Sequence, residues 1–202
     1  MVQHLLDGLS RFRREAFPRY REQYRRLVED GQKPSALFIG CSDSRIVPDL
    51  LMGSGPGELF IVRNLANVVP PWEPDHGFHG TSAAIEFATL VLGVTDIIVC
   101  GHSHCGGVRA LYEPPTQHTP HIDRWLELGA GAKLEGPVTE EVLRRTEQRS
   151  VVLQLERLMS YPMVAERVEQ GTLALHGWHY ILEEGQVLIL DVEEGAFRPM
   201  AE

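Results

Sequence analysis

The sequence predicts an α/β protein in three layers, with a mainly parallel central sheet of four to five strands, flanking helices and an N-terminal helical arm over residues 1–30. Three short apolar runs, at 36–39, 58–62 and 97–99, support this prediction, together with a segment of helical periodicity between the second run and the third. Contiguous apolar runs of this kind are typical of parallel strands that are buried on both faces.

Size and composition limit the possibilities further. A chain of 202 residues, 43% of them hydrophobic, can bury one sizeable core, and we expect a single domain over 1–202. The formal charge of -9, from 19 basic and 28 acidic residues, argues against nonspecific nucleic-acid binding. No apolar stretch suits a membrane span or a signal peptide, so we expect no membrane association. Three cysteines, an odd number, favour a reduced, cytoplasmic protein that uses some of them for metal binding or chemistry.

The elements follow in order from the pattern of apolar residues. Residues 1–30 carry apolar side chains at helical spacing, and Pro18 is expected to divide them into two helices, the second beginning near the proline. A helix over 80–92, ended by Gly93, leads into a strand at 97–101, as in a right-handed crossover. The remaining pattern predicts a helix beginning at 108–112, an irregular connection with short helices from 113, helices over 138–159 and from 161, and antiparallel strands at 173–182 and 186–191.

Potential metal ligands follow two of the predicted strands. Cys41 comes directly after the strand at 36–39 and its glycine, while His102 and Cys105 follow the strand at 97–101. If these strands are neighbours in a parallel sheet, the three side chains meet at one edge, where open α/β sheets bind their ligands. Two thiolates and one imidazole suit zinc, and three protein ligands with an open fourth position are typical of catalytic zinc.

Other interpretations of these residues stay open on spacing alone. His104 competes with His102, but it adjoins Cys105 and adjacent side chains diverge, so the spacing favours His102. Cys100 lies inside a strand and is expected to be a core residue. Redox or purely structural cysteines are compatible with the same spacing. Asp43 and Arg45 either form an ordinary turn with an ion pair or hold a carboxylate near a metal, where it accepts a proton or ligates the ion.

Two motifs, Cys-Ser-Asp-Ser-Arg at 41–45 and Gly-His-Ser-His-Cys-Gly-Gly at 101–107, resemble the signature motifs of the β-class carbonic anhydrases. Segments 56–60 and 63–67 match the family between them, and the resemblance covers about 31–178. It implies a lyase that hydrates CO2 reversibly to bicarbonate and a proton by zinc-bound hydroxide, with one Zn2+ per chain. It also implies a homodimer or a dimer of dimers, with the sheet extended across the dimer and the active site at the subunit boundary. By position, Cys41, His102 and Cys105 would bind zinc, and Asp43 and Arg45 would form the catalytic dyad.

The resemblance also implies a pocket for CO2 and bicarbonate. Gln32 matches a glutamine that donates to substrate oxygen in plant-like members, and Phe60, Leu65 and Phe87 match apolar pocket positions. Because Phe87 stands where the family often has tyrosine, no hydroxyl-dependent role is expected there.

Some bacterial members of that family bind a regulatory bicarbonate through a Trp, an Arg and a Tyr. Arg63 is present here and Tyr180 is a candidate for the Tyr, but Phe38 stands at the Trp position, so we expect this regulatory site to be absent or weak and the chain to be closer to the plant-like type. Two other functions remain open: hydrolysis of CS2 or COS by the same site, and a non-catalytic zinc-binding protein that has kept the fold. A linked hypothesis is that Asp43 displaces water from zinc at lower pH.

Overall fold

The computed structural model describes residues 2–75 and 77–200, and a central sheet organises them. The strands are β1 (Ala36–Cys41), β2 (Leu59–Asn64), β3 (Asp96–His102), β4 (Ala174–Ile181), β5 (Gln186–Asp191) and β6 (Ala196–Pro199). Their order across the sheet is β2-β1-β3-β4-β5-β6, with the first four strands parallel and the last two antiparallel to their neighbours. This confirms the predicted α/β class and the mainly parallel sheet.

The sheet has one strand more than the four to five predicted. β6 is four residues long, contains Arg198 and ends in Pro199, so its sequence carries little of the alternation that identifies a strand. Its pairing with β5 supplies the structure that the local pattern does not, with Leu190 opposite Phe197.

The two central strands are the most buried. Every residue of β1 is buried, and in β3 only Asp96 is not. Alternate side chains feed two apolar clusters: Leu37 and Ile39 belong to the main core, while Phe38 lies in a smaller cluster on the opposite face. Burial on both faces explains why these strands are contiguous apolar runs rather than alternating ones.

Helices flank the sheet and connect its strands. Side chains of the helices at 80–86, 140–158 and 162–169 pack into the main core, and Met52, at the end of a short helix, packs against the cluster on the other face. No helix within 2–75 or 77–200 is both long and apolar enough to span a bilayer. The α-helices are α1 (Gln3–Arg11), α2 (Phe17–Glu29), α3 (Pro48–Met52), α4 (Gly80–Glu86), α5 (Gly106–Arg109), α6 (Pro120–Leu126), α7 (Glu140–Leu158) and α8 (Pro162–Glu169).

The N-terminal arm departs from the prediction in one respect. A second helix does begin near Pro18, but the proline does not divide the arm, because a π-helical segment, Phe12–Ala16, joins α1 to α2. The residues at both junctions keep right-handed helical angles. Pro18 lies in the first turn of α2, where a missing N–H is tolerated, and the wider π turn before it relieves the crowding that a proline ring causes in a continuous α-helix.

Candidate metal centre

Adjacent parallel strands bring the predicted metal ligands together. β1 and β3 are paired with Gly40 opposite Cys100, so Cys41 and His102 lie at the same carboxyl edge of the sheet. Cys105 is the residue from which α5 starts, three residues beyond His102. One ligand atom from each of the three residues lies within 4.8 Å of the other two. The predicted meeting of two strand ends is confirmed.

The state of His102 indicates that this group fits a metal ion. Its Nδ1 lies 2.8 Å from the carbonyl oxygen of Ser103, which can only accept, so Nδ1 carries the proton and Nε2 presents its lone pair. That Nε2 atom is buried and has no hydrogen-bond partner among the described residues. An orphaned buried nitrogen beside two buried thiols, those of Cys41 and Cys105, is costly unless a cation binds there. The donor set of one imidazole and two sulfurs suits zinc.

The two thiols interact directly. A hydrogen bond from the Cys105 thiol lowers the pKa of Cys41, and the same interaction, with burial, raises the pKa of Cys105. One thiolate is therefore favoured in the protein alone, and the second proton would be released when a cation binds. Cys100 differs, because burial alone raises its pKa to about 12 and its side chain joins the apolar cluster around Phe38, as expected of a core residue.

Asp43 and Arg45 form a bidentate pair beside the ligands. Arg45 donates from Nε to Oδ1 of Asp43 at 2.9 Å and from Nη2 to Oδ2 at 2.7 Å. This hydrogen bonding holds the pKa of Asp43 well below its usual range. Oδ2 of Asp43 lies 4.0 Å from Nε2 of His102. An ionised, acceptor-only carboxylate therefore faces the three candidate ligands, Cys41, His102 and Cys105, which we call the metal group. Arg45 also donates to the carbonyl oxygen of His104 at 3.0 Å and so links the two ligand-bearing loops.

His104 does not belong to the ligand group. Its backbone is in the left-handed region at φ 57°, and its half-exposed ring points towards two carboxylates. Nδ1 lies 3.5 Å from Glu140 and Nε2 lies 3.4 Å from Glu183. The left-handed turn is what directs His102 and Cys105 inwards and the ring between them outwards.

The predicted substrate residues lie in three different places. Leu65 lies against α5, the helix that starts from Cys105, since its Cδ1 is 3.5 Å from where a Cβ on Gly107 would be. Phe60 and Phe87 contact each other, with ring centroids 5.8 Å apart. Phe60 is four residues before Asn64, the partner of Cys41 in the sheet, which places it roughly 13 Å along the strand from the metal level. Gln32 is exposed, between α2 and β1.

Four hydrogen bonds around the ligands were not predicted from the sequence. Arg63 donates to the carbonyl oxygens of Cys41 at 2.9 Å and Asp43 at 2.6 Å. Ser103 donates to Glu183 at 2.8 Å. The buried carboxylate of Glu147 accepts from the backbone N–H of Cys105 at 3.0 Å. Each contact joins residues far apart in the chain, and no local motif marks any of them.

Sequence comparisons agree with this geometry. The family profile described as carbonic anhydrase matches residues 36–187. The chain is 41% identical over 207 residues to a carbonic anhydrase of Pseudomonas aeruginosa, an alignment that spans 100% of this chain and 93% of that protein. It is also 41% identical over 167 residues to the chloroplastic beta carbonic anhydrase 5 of Arabidopsis thaliana, covering 79% of this chain and 54% of that protein.

Solved structures show the same fold. The β-carbonic anhydrase CcaA superposes with a TM-score of 0.89 and 36% identity, and the match covers 98% of each chain. A tetrameric β-carbonic anhydrase from Sordaria macrospora superposes with a TM-score of 0.82 and 27% identity, again over 98% of each chain. The resemblance in fold therefore includes the N-terminal arm as well as the sheet.

Proposed function

Because this chain belongs to the β-class carbonic anhydrase family, we propose that it catalyses CO2 + H2O ⇌ HCO3- + H+ at a zinc ion held by Cys41, His102 and Cys105. The observation that carries the proposal is the orphaned Nε2 of His102, which lies 4.0 Å from a carboxylate oxygen of the Asp43–Arg45 pair, on a ring with a nitrogen within 4.8 Å of both cysteine sulfurs. We propose one zinc per chain, bound by a single domain that covers 1–202.

In the proposed hydration of CO2, the metal would activate the nucleophile and the Asp43–Arg45 pair would orient it. A zinc ion held at this site would supply the Lewis acidity that makes hydroxide available from water near neutral pH. Asp43, kept ionised by Arg45, would accept a hydrogen bond from that hydroxide and so direct a lone pair of the hydroxide oxygen towards the carbon of CO2. Arg45 fixes the direction of that carboxylate, because its planar guanidinium engages both oxygens at once.

The substrate pocket is proposed to form between two copies of the chain. Leu65 lies against α5, which starts from Cys105 of its own chain, whereas Phe60 and Phe87 lie farther along the sheet and Phe87 is 41% exposed. We therefore propose that Gln32, Phe60 and Phe87 complete the pocket of the partner subunit in a homodimer or a dimer of dimers. Apolar side chains left exposed on the arm support an assembly of this kind: Leu5, Leu6, Leu9 and Phe12.

A regulatory bicarbonate site is not part of this proposal. Phe38 is fully buried, and Arg63 uses two of its donors on the carbonyl oxygens of Cys41 and Asp43. Because Phe38 stands at the Trp position and Arg63 is held by the backbone that follows β1, we propose the plant-like, non-allosteric type. The three free cysteines favour a reducing environment, and we propose a cytoplasmic location.

Metal content and CO2 hydration, measured together across pH, test the proposal. We expect about one zinc per chain and hydration well above the buffer rate, rising with pH through about 7 as the bound water ionises. Cys41→Ser should lose both metal and activity, whereas the matched variant Cys100→Ser should keep both, because Cys100 lies in the apolar cluster around Phe38. A zinc-loaded protein that does not accelerate hydration would indicate a non-catalytic zinc protein, and preferential turnover of CS2 or COS would indicate the alternative substrates.

A further inference from the structure

A buried carboxylate contacts the metal-ligand loop from a distant helix. Oε1 of Glu147, in α7, accepts the backbone N–H of Cys105 at 3.0 Å, and Oε2 lies 3.1 Å from Nε2 of His179. Glu147 is 3% exposed and His179 is fully buried. A carboxyl group is rarely buried this completely unless it makes specific hydrogen bonds. The two hydrogen bonds therefore indicate that Glu147 has a specific role.

Glycines in the sheet allow α7 to come this close. A Cβ at Gly101 would lie 2.7 Å from Cγ2 of Val151, and one at Gly177 would lie 3.1 Å from Cγ1 of the same valine. Val151 lies one helical turn beyond Glu147. Because neither glycine has a Cβ, this part of α7 packs closely on β3 and β4. The carboxylate of Glu147 can then reach the loop that follows β3.

The hydrogen bond fixes a turn that is strained. His104 has φ 57°, a conformation that costs free energy for a residue other than glycine, and Cys105 follows directly. With the N–H of Cys105 held by Glu147, the Cys105 sulfur lies within 4.8 Å of a ligand atom of both Cys41 and His102. The acceptor thus sets the orientation in which the Cys105 sulfur faces Cys41 and His102.

We propose that Glu147, backed by His179, is a positioning residue that holds Cys105 in the geometry required for metal binding. This inference rests on the proposed metal site. What matters in this proposal is that Glu147 places an acceptor oxygen within hydrogen-bond distance of the Cys105 N–H, and not that the carboxylate is charged. Outer partners that orient metal ligands in this way change metal affinity or activity by about 10–100-fold when they are removed.

The test compares three substitutions at Glu147 in the zinc-loaded protein. Glu147→Gln keeps an oxygen at the same reach, and its amide can donate to Nε2 of His179 in the other tautomer. Glu147→Asp keeps the charge, but its shorter side chain moves the acceptor oxygen away from the Cys105 N–H. Glu147→Met fills the same space without any acceptor oxygen. Zinc release into a chelator should be about 10–100-fold faster in the aspartate and methionine variants and near the unaltered rate in Glu147→Gln. Glu156→Gln, exposed on the same helix, is the matched control.

Cobalt substitution adds a readout that a general loss of stability would not move. The thiolate-to-cobalt absorption should change in the aspartate and methionine variants and be retained in Glu147→Gln. Unchanged zinc release and spectra in all variants, even with lower melting temperatures, would reduce Glu147 to a structural residue and overturn the proposal. Fast release from Glu147→Gln would also overturn it, because charge would then be the property that matters. Failure of the unaltered chain to bind zinc would instead overturn the proposed function.

Discussion

At the scale of single residues, two adjacent glycines after the metal ligands differ in what surrounds them. A Cβ at Gly107 would lie 2.7 Å from the Cβ of Ala66, which is buried and has a left-handed backbone, whereas a Cβ at Gly106 would meet nothing within 4 Å. We expect Gly107→Ala to lower the free energy of unfolding by about 1–3 kcal/mol through overpacking. Gly106→Ala should change it by only about 0.5 kcal/mol in either direction. Urea unfolding of the metal-loaded proteins measures both values, and a larger loss at Gly106 would contradict the packing argument.

Arg45 is a second residue at which the shape of the side chain, and not only its positive charge, determines the expected effect of a substitution. Its guanidinium engages both oxygens of Asp43 and the carbonyl oxygen of His104, which a lysine ammonium cannot reproduce. We expect Arg45→Lys to retain zinc and to lose about 10–100-fold in kcat for CO2 hydration. Arg124→Lys, on an exposed pair with Glu127, provides the control for the substitution itself. Full activity in Arg45→Lys would show that a positive charge alone is sufficient.

At the scale of elements, the turn between β4 and β5 is tied to the metal-ligand loop by Glu183. Its carboxylate accepts from Ser103 at 2.8 Å and from Arg144 at 3.0 Å. Its own backbone N–H and then Ser103 lower the pKa of Glu183 from 4.5 to about 2. Because the folded pKa is the lower one, this group contributes stability that is complete above pH 4.5 and is lost as the pH falls towards 2.

Replacing Glu183 should therefore flatten the acid dependence of stability. We expect Glu183→Gln to be less stable than the unaltered chain near neutral pH, with a difference that shrinks as the pH falls below 4.5. Unfolding in urea at a series of pH values measures the difference, and Glu184→Gln, at the exposed neighbouring position, corrects for general charge effects. A difference that stays constant with pH would mean that ionisation of Glu183 does not stabilise the turn.

The arm is the element that sequence periodicity describes least well. A proline within an amphipathic pattern normally indicates a break, and Pro18 does lie at the start of α2. The π-helical segment Phe12–Ala16 that keeps the helix continuous has no composition that distinguishes it from an α-helix. Local sequence therefore predicts where the second helix begins but not how the chain reaches it.

At the scale of the whole molecule, the sheet and the metal group were predictable for the same reason. Contiguous apolar runs indicated the buried strands, and polar residues directly after two of them indicated the edge at which Cys41 and His102 meet. Glu147 was not predictable, because it lies 42 residues from Cys105 and reaches it only once α7 has packed on the sheet. Contacts of that kind depend on tertiary packing, which no local pattern records.

The separation of Phe87 and Gln32 from the metal group also yields a prediction for the whole assembly. If two copies complete each other's pockets, a chain with Cys41→Ser and a chain with Gln32→Ala and Phe87→Ala fail for different reasons, each as a homodimer. A heterodimer of the two would contain one site with all the defects and one with none. We therefore expect about half of the unaltered activity per dimer, since a two-fold assembly has two equivalent sites.

Co-expression with two different affinity tags isolates that heterodimer, and CO2 hydration per dimer, compared with the unaltered dimer, measures the recovery. The expected gain depends only on which chain contributes each side chain, so it is insensitive to modest losses of stability in either variant. If metal and pocket instead belonged to one chain, every site in the heterodimer would carry a defect. Its activity would then not exceed that of the homodimer with Gln32→Ala and Phe87→Ala. Recovery would thus assign Gln32 and Phe87 to the site across the interface, an assignment that the exposure of the Phe87 ring permits.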